Sequence, residues 1–179
     1  MTKETGFELE LDVKAVTAEG EFEGYASIFG NEDYGRDIMV AGAFTKSLAR
    51  RPAGKVKLLR QHYTDEPIGI WTALTEDSRG LKGRGKLILD TVKGRETHSL
   101  MRAGALDGLS IGFRTLKDRF DRQKGVRFIE EVDLVEISVV TFPANPKAVV
   151  SAVKSQDPER ARAFVLAVKR LEEGLRCTT

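Results

Sequence analysis

A chain of 179 residues is long enough for one domain with a sizeable core. Its 29 basic and 27 acidic residues leave a net charge of +2, without the electrostatic footprint of a nucleic-acid binder. No apolar run approaches a membrane span, the first residues hold no signal-peptide h-region, and the single cysteine, Cys177, excludes an internal disulfide and a cysteine-built zinc site. A soluble domain in a reducing cytosol is expected. Only His62 and His98 can supply imidazole chemistry.

Phe7, Leu9, Leu11 and Val13 alternate with charged residues, the period of a half-buried strand. Ala18–Gly20 is a turn, and residues 21–29 return as a second strand of a hairpin. Turn formers fill residues 30–42, so that stretch reads as a loop. Residues 43–50 form a short helix stopped by Pro52 and Gly54. Residues 56–59 are a short strand running into Gln61 and His62, and residues 63–66 read as loop. Two strands follow, 67–75 and 80–89. Gly80 to Lys86 also matches part of a phosphate loop, but a strand rather than a helix follows it, so it reads as a hairpin. Thr91 caps a helix over 91–103 that Gly104 ends, with Leu100 and Ala103 on one side.

Residues 108–113 are a strand in which Leu109, Ile111 and Phe113 take the buried face. Gly108, Ser110 and Gly112 take the other, a bare patch that a peptide backbone can approach. A charged tip over 117–125 leads into a long strand, 126–141, bent near Asp133, and then into Phe142-Pro143-Ala144-Asn145-Pro146, an extended or turn segment. A last helix starts at Asp157-Pro158 and runs to about residue 173, with Phe164, Val168, Leu171 and Leu175 as its apolar stripe against the parent domain. Strands that follow one another directly point to a mainly antiparallel sheet or barrel carrying a few helices.

Three residues stand out chemically. Ser110 is a hydroxyl between glycines, which is also what an ordinary solvent-facing strand serine looks like. His62 ends a strand, a good place for a general base and equally for a surface loop histidine. Glu136 interrupts the apolar run 134–140 and shares a face with Ser138 and Val140. A shielded carboxylate needs a partner, whether a histidine Nδ1 proton, an arginine such as Arg114, or solvent. Asp107, Glu130, Glu131, Asp133 and Asp65 are competing acids. Asp33, Asp37, His62 and Asp65 do not have the spacing of a closed metal site.

Four blocks then carry a pattern. Gly24-Tyr-Ala-Ser-Ile-Phe-Gly30 is followed by Asp33-Tyr-Gly-Arg-Asp37 and Gly42-Ala-Phe44; Lys57-Leu-Leu59 with Gln61-His62 is followed by Pro67-Ile-Gly69. The third block is Ala103 to Phe113, and the fourth is Glu136-Ile-Ser-Val-Val140 with Pro143-Ala-Asn-Pro146. In this order, over roughly residues 22 to 154, the chain resembles the prohead (head maturation) proteases of tailed phages. The resemblance implies a serine endopeptidase on a β-barrel wrapped by a few helices, related in fold to the herpesvirus assembly protease, assemblin. It implies Ser110 as nucleophile, His62 as base and Glu136 as the third member. The protease domain would span residues 1–154, with residues 155–179 a C-terminal helix and short tail packed on it.

No cofactor and no metal is expected. The expected substrates are the scaffold segment of the phage major capsid protein and the protease itself, inside the assembling procapsid in the host cytoplasm. Neither nucleic acid nor membrane is an expected partner, and a homodimer is allowed. Backbone N–H groups of a glycine-containing turn are the expected oxyanion donors. Two other classes fit parts of the same residues: a non-catalytic capsid assembly module that keeps the strands without needing His62, and a metal-dependent hydrolase built on His62 and the Asp33–Asp37 loop.

Overall fold

A computed structural model describes residues 16–151. The strand expected over residues 7–13 and the helix expected from residue 157 lie outside the described residues. Among the described residues eight strands and two α-helices occur, in the order β1 (Glu21–Ile28), β2 (Asp37–Met39), α1 (Thr45–Arg50), β3 (Lys57–Arg60), β4 (Tyr63–Glu76), β5 (Gly80–Leu87), α2 (Val92–Arg102), β6 (Gly108–Asp121), β7 (Val126–Val140) and β8 (Val150–Ser151). The expectation of a mainly β fold with few helices holds. The loop expected over residues 30–42 contains the short β2, which lies parallel to β7 through Asp37↔Arg127 and Met39↔Ile129.

The strands form one curled sheet in the order β2-β7-β3-β4-β5-β1-β8, with β6 also on β7. All pairings are antiparallel except β2 with β7 and β3 with β7. The curl brings its ends together. Gly108 at the start of β6 bridges Val149. Leu109 N donates to Ala148 O at 2.9 Å and Val150 N to Asp107 O at 2.8 Å. Those two bonds satisfy backbone groups that a strand edge would leave open.

Alternation explains the core. Phe22 in β1 and Trp71 in β4 point inward and meet edge to face, ring centroids 5.6 Å apart. Gly83 and Gly85 of β5 supply the room, since a Cβ at either would strike the Trp71 or Phe22 ring. Leu58, Leu109, Ile137 and Val139 fill the other side of the same core. Helix α2 is capped as its sequence indicates: Thr91 Oγ1 accepts from Gly94 N at 3.0 Å, and Gly104 follows the last turn at φ +72°. Its buried face is Gly94, Thr97 and Met101, however, not Leu100 and Ala103. Leu100 remains 39% exposed. The stripe is one position out of register with the sequence reading, because small Gly94 lets the first turn press against the Ile88 carbonyl.

The long hairpin β6–β7 is broken by shifts in register. Gly112 opposes Glu136 and Phe113 opposes Leu134, so Val135 is an extra residue. This bulge lies two residues from Asp133, where the sequence reading expected a bend. The strand β6 continues to Asp121, through most of what the sequence suggests is a charged tip.

Candidate active site

Strand β7 sits between β3 and β6 and organises the site. Ile137 and Val139 face the core, so Glu136, Ser138 and Val140 face the other side. Ser110 of β6 lies directly across from Ser138, and Gly112 directly across from Glu136. Opposed residues of an antiparallel pair share a face, so both hydroxyls and the carboxylate stand together on the outer surface of the sheet.

That surface is covered. Ser110 is only 5% exposed, Glu136 8% and Ser138 0%. The bare patch expected around Ser110 is therefore filled from within the chain. A Cβ at Gly112 would overlap the Glu136 carboxylate, and one at Gly108 would press on the Pro143 ring. The glycines make room for Glu136 and Pro143 rather than for a substrate backbone.

His62 arrives from β3. Arg60 pairs with Tyr63, leaving Gln61 and His62 as a two-residue turn. Both have positive φ, +53° and +62°, as a type I′ turn requires. Neither is glycine, so the turn costs on the order of 1–3 kcal/mol per residue and needs outside support. Gln61 supplies part of it. Its N–H donates to Val139 O at 3.0 Å, its Nε2 to Thr141 Oγ1 at 2.6 Å, and its Oε1 accepts from Thr141 N at 3.3 Å. The backbone N–H of His62 donates to Ser138 Oγ at 3.1 Å. The segment expected to be loop after His62 is the start of β4 instead. Thr64–Glu66 nevertheless have no partner on β3, because the next pairing after Arg60↔Tyr63 is Leu59↔Pro67.

The turn folds His62 back over β7. Its Nδ1 lies 2.6 Å from Glu136 Oε1, and Ser138 Oγ donates to Glu136 Oε2 at 2.7 Å. A carboxylate only accepts, so Nδ1 carries the proton and Nε2 is the free lone pair. The hydrogen bond from His62 to Glu136 and the nearby negative charge raise the imidazole pKa above its ordinary value, against the downward pull of burial. An imidazole held this way is a base at Nε2. The Ser110 hydroxyl makes no hydrogen bond among the described residues, and Nε2 makes none either.

Three of the competing acids are occupied elsewhere. Glu130 pairs with Lys117, Glu131 with Lys46 and Asp133 with Arg51. Asp37 holds Arg127 through both carboxylate oxygens. Glu136 pairs with neither Arg114 nor solvent but with His62 and Ser138. His98 is engaged through Nε2 with the Thr17 carbonyl at 2.7 Å. Sequence reasoning overlooked the parts played by Ser138, Gln61 and Pro143. The signal for Ser138 was present, since it stands two residues from Glu136 on one face of a strand.

A recess of about 40 Å³ bordered by Asn31, Asp33, Ser110, Phe113 and Asn145 has room for about one water. A larger open groove of about 550 Å³ at Arg50, Arg51, Lys55, Leu116 and Asp133 shares no residue with the site.

The family described as Caudovirus prohead serine protease matches residues 9–162. The prohead protease of Enterobacteria phage HK97 is 39% identical over 152 residues, covering 84% of this chain and 67% of that protein. Among solved structures, the bacteriophage T4 capsid assembly protease, gp21, superposes with a TM-score of 0.55 at 16% identity, over 67% of this chain and 80% of gp21. The KSHV protease in complex with a hexapeptide phosphonate inhibitor gives 0.53 at 12% identity, over 73% of this chain and 63% of that one. At such identities the two structures speak for the fold alone, and it is the fold of the herpesvirus proteases.

Proposed function

The chain belongs to the Caudovirus prohead serine protease family, and from that premise we propose that it is a serine endopeptidase with Ser110 as nucleophile, His62 as general base and Glu136 as the residue that orients it. The observation that carries the reading is the 2.6 Å contact of His62 Nδ1 with Glu136 Oε1, beside a serine held in strand register with Ser138.

The chemistry follows from that arrangement. Ser110 Oγ attacks the scissile carbonyl carbon while its proton passes to His62 Nε2. The imidazolium so formed is stabilised by Glu136 through Nδ1–H, and the carboxylate keeps the ring in the tautomer that leaves Nε2 free. His62 then gives the proton to the departing amine as the carbon–nitrogen bond breaks. Water, deprotonated by His62, hydrolyses the acyl-enzyme and returns Ser110. Transfer requires Ser110 and His62 to close to hydrogen-bond distance, a tightening common when a peptide settles in a site.

The proposed substrates are the scaffold segment of the phage major capsid protein and the protease's own chain, cut inside the procapsid of a phage-infected host. The proposed protease domain is residues 1–154, followed by a C-terminal helix and tail over 155–179. The reading allows a homodimer; nucleic acid, membrane, metal and cofactor are not part of it.

A serine-reactive phosphonate tests it. The expected result is one modified residue, Ser110, with labelling lost in Ser110→Ala and His62→Ala. Cleavage of a scaffold peptide that resists the phosphonate and yields to EDTA would replace the reading with a metal hydrolase. Neither labelling nor cleavage would leave an assembly module.

A further inference from the structure

Ser138 is buried to 0% exposure, and its hydroxyl makes two contacts at once. It donates to Glu136 Oε2 at 2.7 Å and accepts from the backbone N–H of His62 at 3.1 Å. A hydroxyl has one proton and two lone pairs, so it can do both. These two contacts sit on the two residues that must be held relative to each other. One fixes the carboxylate oxygen that does not face His62. The other fixes the backbone of His62 in a turn whose φ of +62° a histidine does not adopt freely. Beyond His62 and Ser138, no side chain among the described residues bonds the Glu136 carboxylate, and Gly112 opposite provides space but no bond.

We infer that Ser138 is a positioning residue, a hydroxyl clamp that sets the Glu136 carboxylate and the His62 main chain in one geometry so that Oε1 meets Nδ1. The inference rests on the proposed pairing of His62 with Glu136 in the site, and not on Ser110 being the nucleophile. Ser138 is not itself the nucleophile. Its proton is committed to Glu136, and it is wholly covered.

The test uses the full chain carrying Ser110→Ala, which prevents self-cleavage, labelled with nitrogen-15 at histidine. The Nδ1 proton of His62 in a short bond to a carboxylate gives a downfield proton resonance, identified by its loss in His62→Ala. Ser138→Ala is expected to remove that resonance or move it upfield. In the chain with Ser110 intact, Ser138→Ala is expected to lower kcat roughly ten- to hundredfold, the usual loss when a partner that orients a functional side chain is removed, with KM little changed. If Ser138→Ala does not fold, Ser138→Cys, near in volume and a weak donor, gives the answer by the same resonance. A folded variant that keeps the parent resonance overturns the inference, even if it melts at a lower temperature, since that is the mark of a merely structural serine. A parent chain without the resonance overturns it as well. Proteolysis surviving in Ser110→Ala would instead refute the nucleophile and leave the resonance to decide Ser138.

Discussion

Gly112 lies directly across the β6–β7 ladder from Glu136, and the carboxylate occupies the volume that any side chain at position 112 would need. The glycine two residues after Ser110 is therefore part of the way Glu136 reaches His62. Gly112→Ala is expected to push Glu136 Oε1 away from Nδ1. Overpacking of this kind costs about 1–3 kcal/mol, so the melting temperature should fall by a few degrees. Activity should fall much further, through kcat. An unchanged kcat would show that the carboxylate finds His62 by another route.

Ser110→Ala should abolish cleavage of a scaffold peptide and leave the fold intact. Its hydroxyl has no hydrogen-bond partner among the described residues, so its removal orphans nothing. Circular dichroism and a melting curve should match the parent chain. Residual proteolysis at the parent rate would remove Ser110 from the mechanism.

Gln61 is expected to matter through the turn rather than through chemistry. Gln61→Ala deletes both side-chain bonds to Thr141 and leaves a residue without them at φ +53°. Gln61→Gly deletes the same bonds and relaxes the backbone. Both should reduce activity by loosening His62, and the glycine variant should be the more stable of the two by on the order of 1 kcal/mol, the usual cost of a left-handed L-residue. Equal melting temperatures would mean that the turn is not strained.

The sequence carried the fold well where alternation was strict. The alternation of Leu109, Ile111 and Phe113 in β6 and the cap and stop of α2 at Thr91 and Gly104 are local signals, and the structure follows them. The short β2 was hidden because it pairs with β7, far away in the chain, and its own three residues have no period. The site was legible as residue types and not as an arrangement. Ser110, His62 and Glu136 stood out, but the glycines flanking Ser110 are filled by Pro143 and Glu136, a long-range packing effect. The turn at Gln61-His62 lacks the glycine or asparagine that marks a type I′ turn. Its support comes from Ser138 and Thr141 across the sheet, which no window along the chain contains.

The Glu136 carboxylate raises the pKa of His62 through its hydrogen bond and its charge, while burial lowers it. His62 acts as a base only when neutral, so the acid limb of kcat/KM should lie above the ordinary histidine value of about 6.5. Glu136→Gln removes both raising causes and leaves burial, so the limb should move below about 6.5. The rate on the plateau should fall at the same time, by about ten-thousandfold if the amide stabilises the tautomer with Nε2 protonated. Stability should respond with the opposite pH trend. A histidine whose pKa is raised in the folded chain contributes stability fully below its unfolded pKa, and that contribution is lost as pH rises through the folded value. The gap in melting temperature between the parent and Glu136→Gln should accordingly be wide below about pH 6.5 and narrow above the His62 pKa. Rate–pH profiles and melting curves of the two chains, measured over the same range, check both trends. An acid limb that stays in place in Glu136→Gln would show that this carboxylate does not set the base.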